Sequence, residues 1–75
     1  MKRIKYSLLK QKCVIVSDNE NYKDYINTTL IITNAEIGGR GYDSGLYPEA
    51  LCSFIDEETG TEIPFSLYEY EFELV

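Results

Sequence analysis

Phe65-Ser66-Leu67-Tyr68-Glu69-Tyr70-Glu71-Phe72-Glu73-Leu74-Val75 closes the chain. Between Tyr68 and Leu74 the alternation is strict. Tyr68, Tyr70, Phe72 and Leu74 fall on one parity and Glu69, Glu71 and Glu73 on the other. Successive side chains of a strand point to opposite faces, so this period of two predicts a half-buried strand. The four apolar and aromatic residues are expected to pack inward and the three glutamates to face water. The expectation is a small β protein whose C-terminus closes its core.

Further strands are expected upstream. Thr61 to Phe65 reads as a strand with Ile63 and Phe65 on one face; Pro64 has no amide hydrogen and places it at an edge or breaks it. Ser66-Leu67-Tyr68 leaves room for one tight helical turn before the last strand. Ala50 to Asp56 is a further strand, joined to Thr61 by a Glu57-Glu58-Thr59-Gly60 turn with Gly60 in the left-handed position. Thr28 to Ile37 and Cys13 to Ser17 are rich in β-branched residues and predict two more strands, the longer one bent at Asn34-Ala35. Asp18 to Tyr25 is rich in Asp and Asn, which favour turns, and Tyr22 and Tyr25 are expected to fold back over the core edge. Residues 1–9 suit either a short amphipathic helix or a strand. No stretch shows helical periodicity over the length a core helix needs. The fold class predicted is all-β: a single domain over residues 1–75, a five-stranded Src-homology-3-like (SH3-like) barrel with a 3-10 turn before the last strand. Residues 1–10 form a basic arm or the first strand. An oligonucleotide-binding-type barrel is the alternative, but it normally needs more residues and a helix.

Seventy-five residues make one domain near the lower limit of independent folding. A hydrophobic content of 44% is ample for a core and argues against disorder. Seven tyrosines stand against three phenylalanines, so several rings are expected at the core rim or in a contact surface, where a polar tip is tolerated. Charge divides sharply. Lys2, Arg3, Lys5, Lys10 and Lys12 give the first twelve residues +5; the remainder carries −11, leaving −6 overall. An acidic body repels a phosphate backbone, which makes nucleic acid an unlikely partner. Its acids either solvate the surface or imitate nucleic acid on another protein's basic site. The basic start is either a solvated arm or a contact for an acidic partner or a second subunit.

Cys13 and Cys52 lie in apolar runs without CxxC spacing, and the chain has no histidine. They are expected to be buried, reduced thiols in a cytoplasmic protein, with no metal site and no cofactor. No apolar stretch approaches the roughly 20 residues of a membrane span, so no membrane partner is expected. The missing histidine removes the usual neutral-pH general base and any Ser–His or Cys–His nucleophile. The glutamates of the turn and of the last strand are expected in water, without the burial that raises a carboxyl pKa. No enzyme activity is expected.

The one chemically unusual segment is Gly38-Gly39-Arg40-Gly41-Tyr42-Asp43-Ser44-Gly45-Leu46-Tyr47-Pro48-Glu49, which holds four of the five glycines. It matches neither phosphate-binding glycine motif, but consecutive glycine amides beside Arg40 suit an anion-binding nest. Tyr42 and Tyr47 suit stacking on a base. The candidate binding residues are Gly38, Gly39, Arg40, Gly41, Tyr42, Asp43 and Tyr47; the alternative is a connector whose tyrosines cover the barrel end.

Residues 16–25, Thr29 to Thr33, the block Gly41 to Glu49 and Glu62 to Glu71, in that order, resemble a set of small uncharacterised proteins encoded by tailed bacteriophages and prophages. The resemblance spans residues 13–73, with Gly41 to Glu49 its most specific part, and departs at Gly38-Gly39-Arg40 and Leu51-Cys52-Ser53. It implies a viral source and a short all-β domain, and carries no activity with it. The viral source it implies, the lack of catalytic groups and the one Gly/Arg/Tyr loop together lead to the expected function: a non-enzymatic accessory protein that counters bacterial defence in the host cytoplasm, sequestering a small nucleotide signal or blocking a host immune protein. Alternatives are a structural or regulatory protein–protein interaction module and, least favoured, a nucleic-acid-binding barrel. A homo-oligomer is compatible with the small core.

Overall fold

A computed structural model of the protein describes residues 3–37 and 49–75. The described chain is one antiparallel sheet of six short strands: β1 (Arg3–Ile4), β2 (Lys12–Ile15), β3 (Leu30–Ile37), β4 (Leu51–Asp56), β5 (Leu67–Tyr68) and β6 (Phe72–Leu74). They lie in the order β5-β4-β3-β2-β6, with β1 also paired to β3. Three 3-10 turns, Tyr6–Leu8, Glu20–Tyr25 and Glu69–Glu71, replace longer helices. The all-β expectation is met.

Two details of the expected barrel are corrected. The described residues form six strands instead of five: Arg3–Ile4 adds one, the tail is divided into β5 and β6, and the strand expected over Thr61 to Phe65 is not formed. Arg3 faces Ile37 and Lys12 faces Ile31, so residues 3–12 run along a shorter stretch of β3. The surplus is taken up by the Tyr6–Leu8 turn, after which Lys10 adopts a left-handed φ of 69° and donates its amide to the Ile32 carbonyl. The sheet is also not closed: β5 and β6 end the strand order without pairing to each other. The 3-10 turn between them carries the chain from one edge to the other without a ladder. Residues 3–10 are therefore not a free arm. They are built into the sheet.

β3 bends where the sequence places the bend. Ile32 faces Phe54 but Asn34 faces Ser53, leaving Thr33 as an extra residue. Such a bulge shifts side-chain parity by one, so Leu30 and Ile32 are buried before it and Ala35 after it. The Asp56 carboxylate caps the following turn by accepting from the amides of Glu58 and Thr59, and Gly60 has a φ of 72°. The strand expected over Thr61 to Phe65 shrinks to a single bridge, Glu62 with Ile55, before Pro64 ends it.

The core collects Cys13 and Ile15 from β2, Leu30, Ile32 and Ala35 from β3, Cys52 and Phe54 from β4, with Leu8, Ala50, Ile63, Leu67 and Phe72. Phe54 and Phe72 meet edge to face at 5.3 Å, the arrangement aromatic quadrupoles favour.

The C-terminal pattern is the main correction. Of the four residues expected inside, only Phe72 is buried, while Tyr68, Tyr70 and Leu74 are 44%, 68% and 50% exposed. Leu67, on the opposite parity to Tyr68, is fully buried. The helical turn falls on Glu69–Glu71, three residues after its expected place, and a 3-10 turn of about three residues cannot keep a period of two.

Candidate functional site

The seven candidate residues Gly38, Gly39, Arg40, Gly41, Tyr42, Asp43 and Tyr47 lie outside the described residues. The positions flanking them are fixed. On one side Ile37 pairs with Arg3, and on the other the Ala50 amide donates to the Glu69 carboxylate at 2.7 Å. The other oxygen of Glu69 accepts from Lys5 Nζ, also at 2.7 Å. Glu69 was expected on a wet strand face. It instead joins the N-terminal strand, the re-entry at Ala50 and the last turn. A second ion pair, Lys12 Nζ to Glu57 at 2.6 Å, ties β2 to the β4 turn. Two of the N-terminal cations are thus engaged within the molecule.

The described residues hold a second feature that strand periodicity concealed. Tyr68 and Tyr70 stack on each other with centroids 5.9 Å apart and planes 5° from parallel. That separation at that angle is an offset stack, leaving ring surface open to solvent. Leu51, itself exposed, is the register partner of Tyr68 and extends the patch along β4. Glu71 ends the turn that carries both tyrosines. Its Oε1 accepts from the Tyr68 amide at 3.0 Å, and its backbone carbonyl accepts from the amides of Val16 and Ser17. Both ends of the residue are held by its neighbours.

Tyr22 approaches the same carboxylate from the Glu20–Tyr25 turn. Asn19 caps that turn by accepting from the Asn21 amide at 2.9 Å. The Tyr22 ring packs on Phe65 at 4.5 Å, and Tyr25 meets the other side of the cluster edge to face at 5.5 Å. This is the fold-back over the core edge that the sequence predicts. Burial pushes the Tyr22 hydroxyl above its ordinary pKa, and the adjoining Glu71 charge pushes it the same way. Tyr22, from a distant segment, is thus brought near the turn that carries the Tyr68–Tyr70 pair. The signal available in the sequence was the choice of Tyr over Phe at 68 and 70, with Phe kept for the buried position 72.

A shallow groove of about 330 Å³ lies between the Thr33 bulge and the segment broken by Pro64, where Ser53 and Ser66 bring their hydroxyls within 3.4 Å. Cys13 and Cys52 are both fully buried and unpaired by disulfide, as expected. Burial pushes Cys13 up to about 12 and Cys52 up to about 11, so both stay protonated and are poor nucleophiles at neutral pH. Among the described residues no three His, Cys, Asp or Glu side chains converge as metal ligands, and no helix is long and apolar enough to cross a membrane.

Compared with protein-family models, curated proteins and solved structures, the chain matches none. Its function has to be argued from its own geometry.

Proposed function

We propose that this chain is a non-enzymatic binding domain, a small SH3-like fold with an open sheet, that grips a protein partner at its tyrosine-bearing 3-10 turn. Strands β2 to β5 run in sequence across the sheet, a 3-10 turn follows, and β6 returns beside β2; this order supports the SH3-like assignment. The likeness to phage-encoded proteins makes the partner a host immune protein and the setting the bacterial cytoplasm. One observation carries the binding surface: Tyr68 and Tyr70 form a stacked, solvent-facing pair on a turn whose two glutamates are each tied by hydrogen bonds. Exposed aromatic pairs held rigidly offer contact area at little entropic cost, which is what an interface anchor requires.

Affinity capture from host lysate with the parent protein and with a Tyr68→Ser/Tyr70→Ser variant tests this. A host protein retained by the parent and lost by the variant supports the assignment. Equal retention by both moves the contact elsewhere.

A second mode, capture of a small nucleotide by residues 38–48, is favoured by the Lys5–Glu69–Ala50 tie, which fixes the base of that segment. It predicts a rise in melting temperature with one of a panel of cyclic and ADP-ribose-derived nucleotides. Ligand at about 100 times its dissociation constant adds about 2.7 kcal/mol. An Arg40→Ala/Tyr42→Ala variant should abolish the rise. No rise with any nucleotide leaves only protein targets.

A further inference from the structure

The partner-facing turn carries a charge arrangement of its own. Glu71 is half-buried, yet no ion pair with a lysine or arginine is seen for it among the described residues; its carboxylate accepts from the Tyr68 amide and lies near enough to Tyr22 for its charge to raise that phenol's pKa. The other half-buried glutamate of the turn, Glu69, has its cation in Lys5. Residues 56–75 contain seven acids and no base, so nothing nearby in sequence neutralises Glu71. On the same turn Tyr68 and Tyr70 form their stacked pair, whose faces are negative by virtue of the ring quadrupole. A carboxylate with spare lone pairs, neighbouring open aromatic faces and without a cation among the described residues, is complementary to a planar cation.

We infer that Tyr22, Tyr68, Tyr70 and Glu71 form a receptor for an arginine side chain of a protein partner. A guanidinium can stack on a tyrosine face while donating two parallel hydrogen bonds to a carboxylate. A lysine ammonium is a point charge without that fork or plane. The site is preorganised, because the Glu71 carbonyl is bound by the Val16 and Ser17 amides and the Tyr22 ring is packed on Phe65. The inference rests on the protein-binding assignment above and gives it a chemical class of partner.

Oligoarginine and oligolysine peptides of equal length and charge are the probes, titrated against the folded protein at fixed ionic strength. Oligoarginine is expected to bind several-fold tighter than oligolysine. Tyr70→Ala and Glu71→Gln should each weaken oligoarginine about threefold to tenfold and narrow the difference between the peptides. Gln at 71 still accepts from the Tyr68 amide, so the turn is expected to stay folded, which the melting temperature checks. Glu73→Gln removes an exposed charge outside the cluster and should leave oligoarginine affinity within about twofold, after the same screening. Equal affinity for the two peptides, or equal loss from Glu73→Gln and Glu71→Gln, would reduce the binding to general acidity and overturn the site. The titration needs no native partner. Its failure leaves the binding-domain assignment standing, and failure of the lysate capture leaves this site to be judged by the peptides alone.

Discussion

Residues 51–63 and residues 67–75 carry comparably regular patterns and fold by different rules. In the first, Cys52 and Phe54 alternate inward along β4, which is paired to β3 from Leu51 to Asp56. In the second, β5 has two residues and β6 three, with a 3-10 turn between them. Period two survives where a long ladder on a neighbouring strand enforces extended backbone. Where the ladder is short, a turn can rotate each side chain by about 120° from the last, and the alternation no longer reports burial. The polar tips of Tyr68 and Tyr70 tip the balance, because either phenol would need a hydrogen-bond partner inside.

The sharpest contrast lies within the tail. Phe72→Ala deletes a buried ring packed on Phe54 and should cost about 3–5 kcal/mol. A domain of this size has a net stability of the same order, so the variant is expected largely unfolded by circular dichroism. Leu74→Ala, on the same parity but half exposed, should cost about 1 kcal/mol or less by urea denaturation. Similar losses at the two positions would restore the continuous inward-facing strand.

Alkaline titration probes both regions at once, since Cys13 lies on β2 beside β6 and Cys52 on β4. Both thiols are raised by burial above the ordinary 9.0, to about 12 and about 11. The unfolded chain therefore releases its thiol protons first as pH rises. Stability from these groups is complete below pH 9 and falls above it, at up to about 1.4 kcal/mol per pH unit for each thiol until the folded pKa is reached. Melting midpoints measured between pH 8 and 11 should drop, and a Cys52→Ala background should lessen the slope. A flat profile would mean that neither thiol is shielded.

Gly60→Ala tests the better-predicted region. The space around Gly60 is open, so an added methyl meets nothing and only the φ of 72° opposes it. The expected loss is about 1–2 kcal/mol, the penalty of a left-handed conformation for an L-residue, measured by urea denaturation. No loss would show that the turn relaxes to another type.

What could be read in advance follows the same division. Gly60, Pro64 and the Asn34 bend were legible because each rests on local backbone chemistry: a left-handed turn, a missing amide, a bulge. The strands β2, β3 and β4 were legible because β-branched runs are long enough to outvote a single residue. The choice of strand for Arg3–Ile4 over a short helix was not, since the Tyr6–Leu8 turn that bounds it contains no glycine or proline to mark it. The roles of Glu69 and Glu71 were also hidden. Each depends on partners far away in sequence, Lys5 and Ala50 for one and Tyr22 and Val16 for the other. Glutamate on alternate positions looks the same whether it is solvated or anchoring a turn.

The smallest expected effect separates the two regions most economically. If the tail were one strand with Tyr70 inside, Tyr70→Ser would remove a buried aromatic ring and cost about 3–5 kcal/mol, as at Phe72. In the structure Tyr70 is 68% exposed and stacks on Tyr68. The loss should then be confined to one exposed aromatic pair, under about 1 kcal/mol, with the circular dichroism spectrum unchanged. A position that tolerates serine so readily has no folding reason to be tyrosine. If Tyr70→Ser leaves stability intact and weakens oligoarginine, the ring is there for contact; if it destabilises the protein as Phe72→Ala does, the tail is a core strand and the exposed pair does not exist in solution.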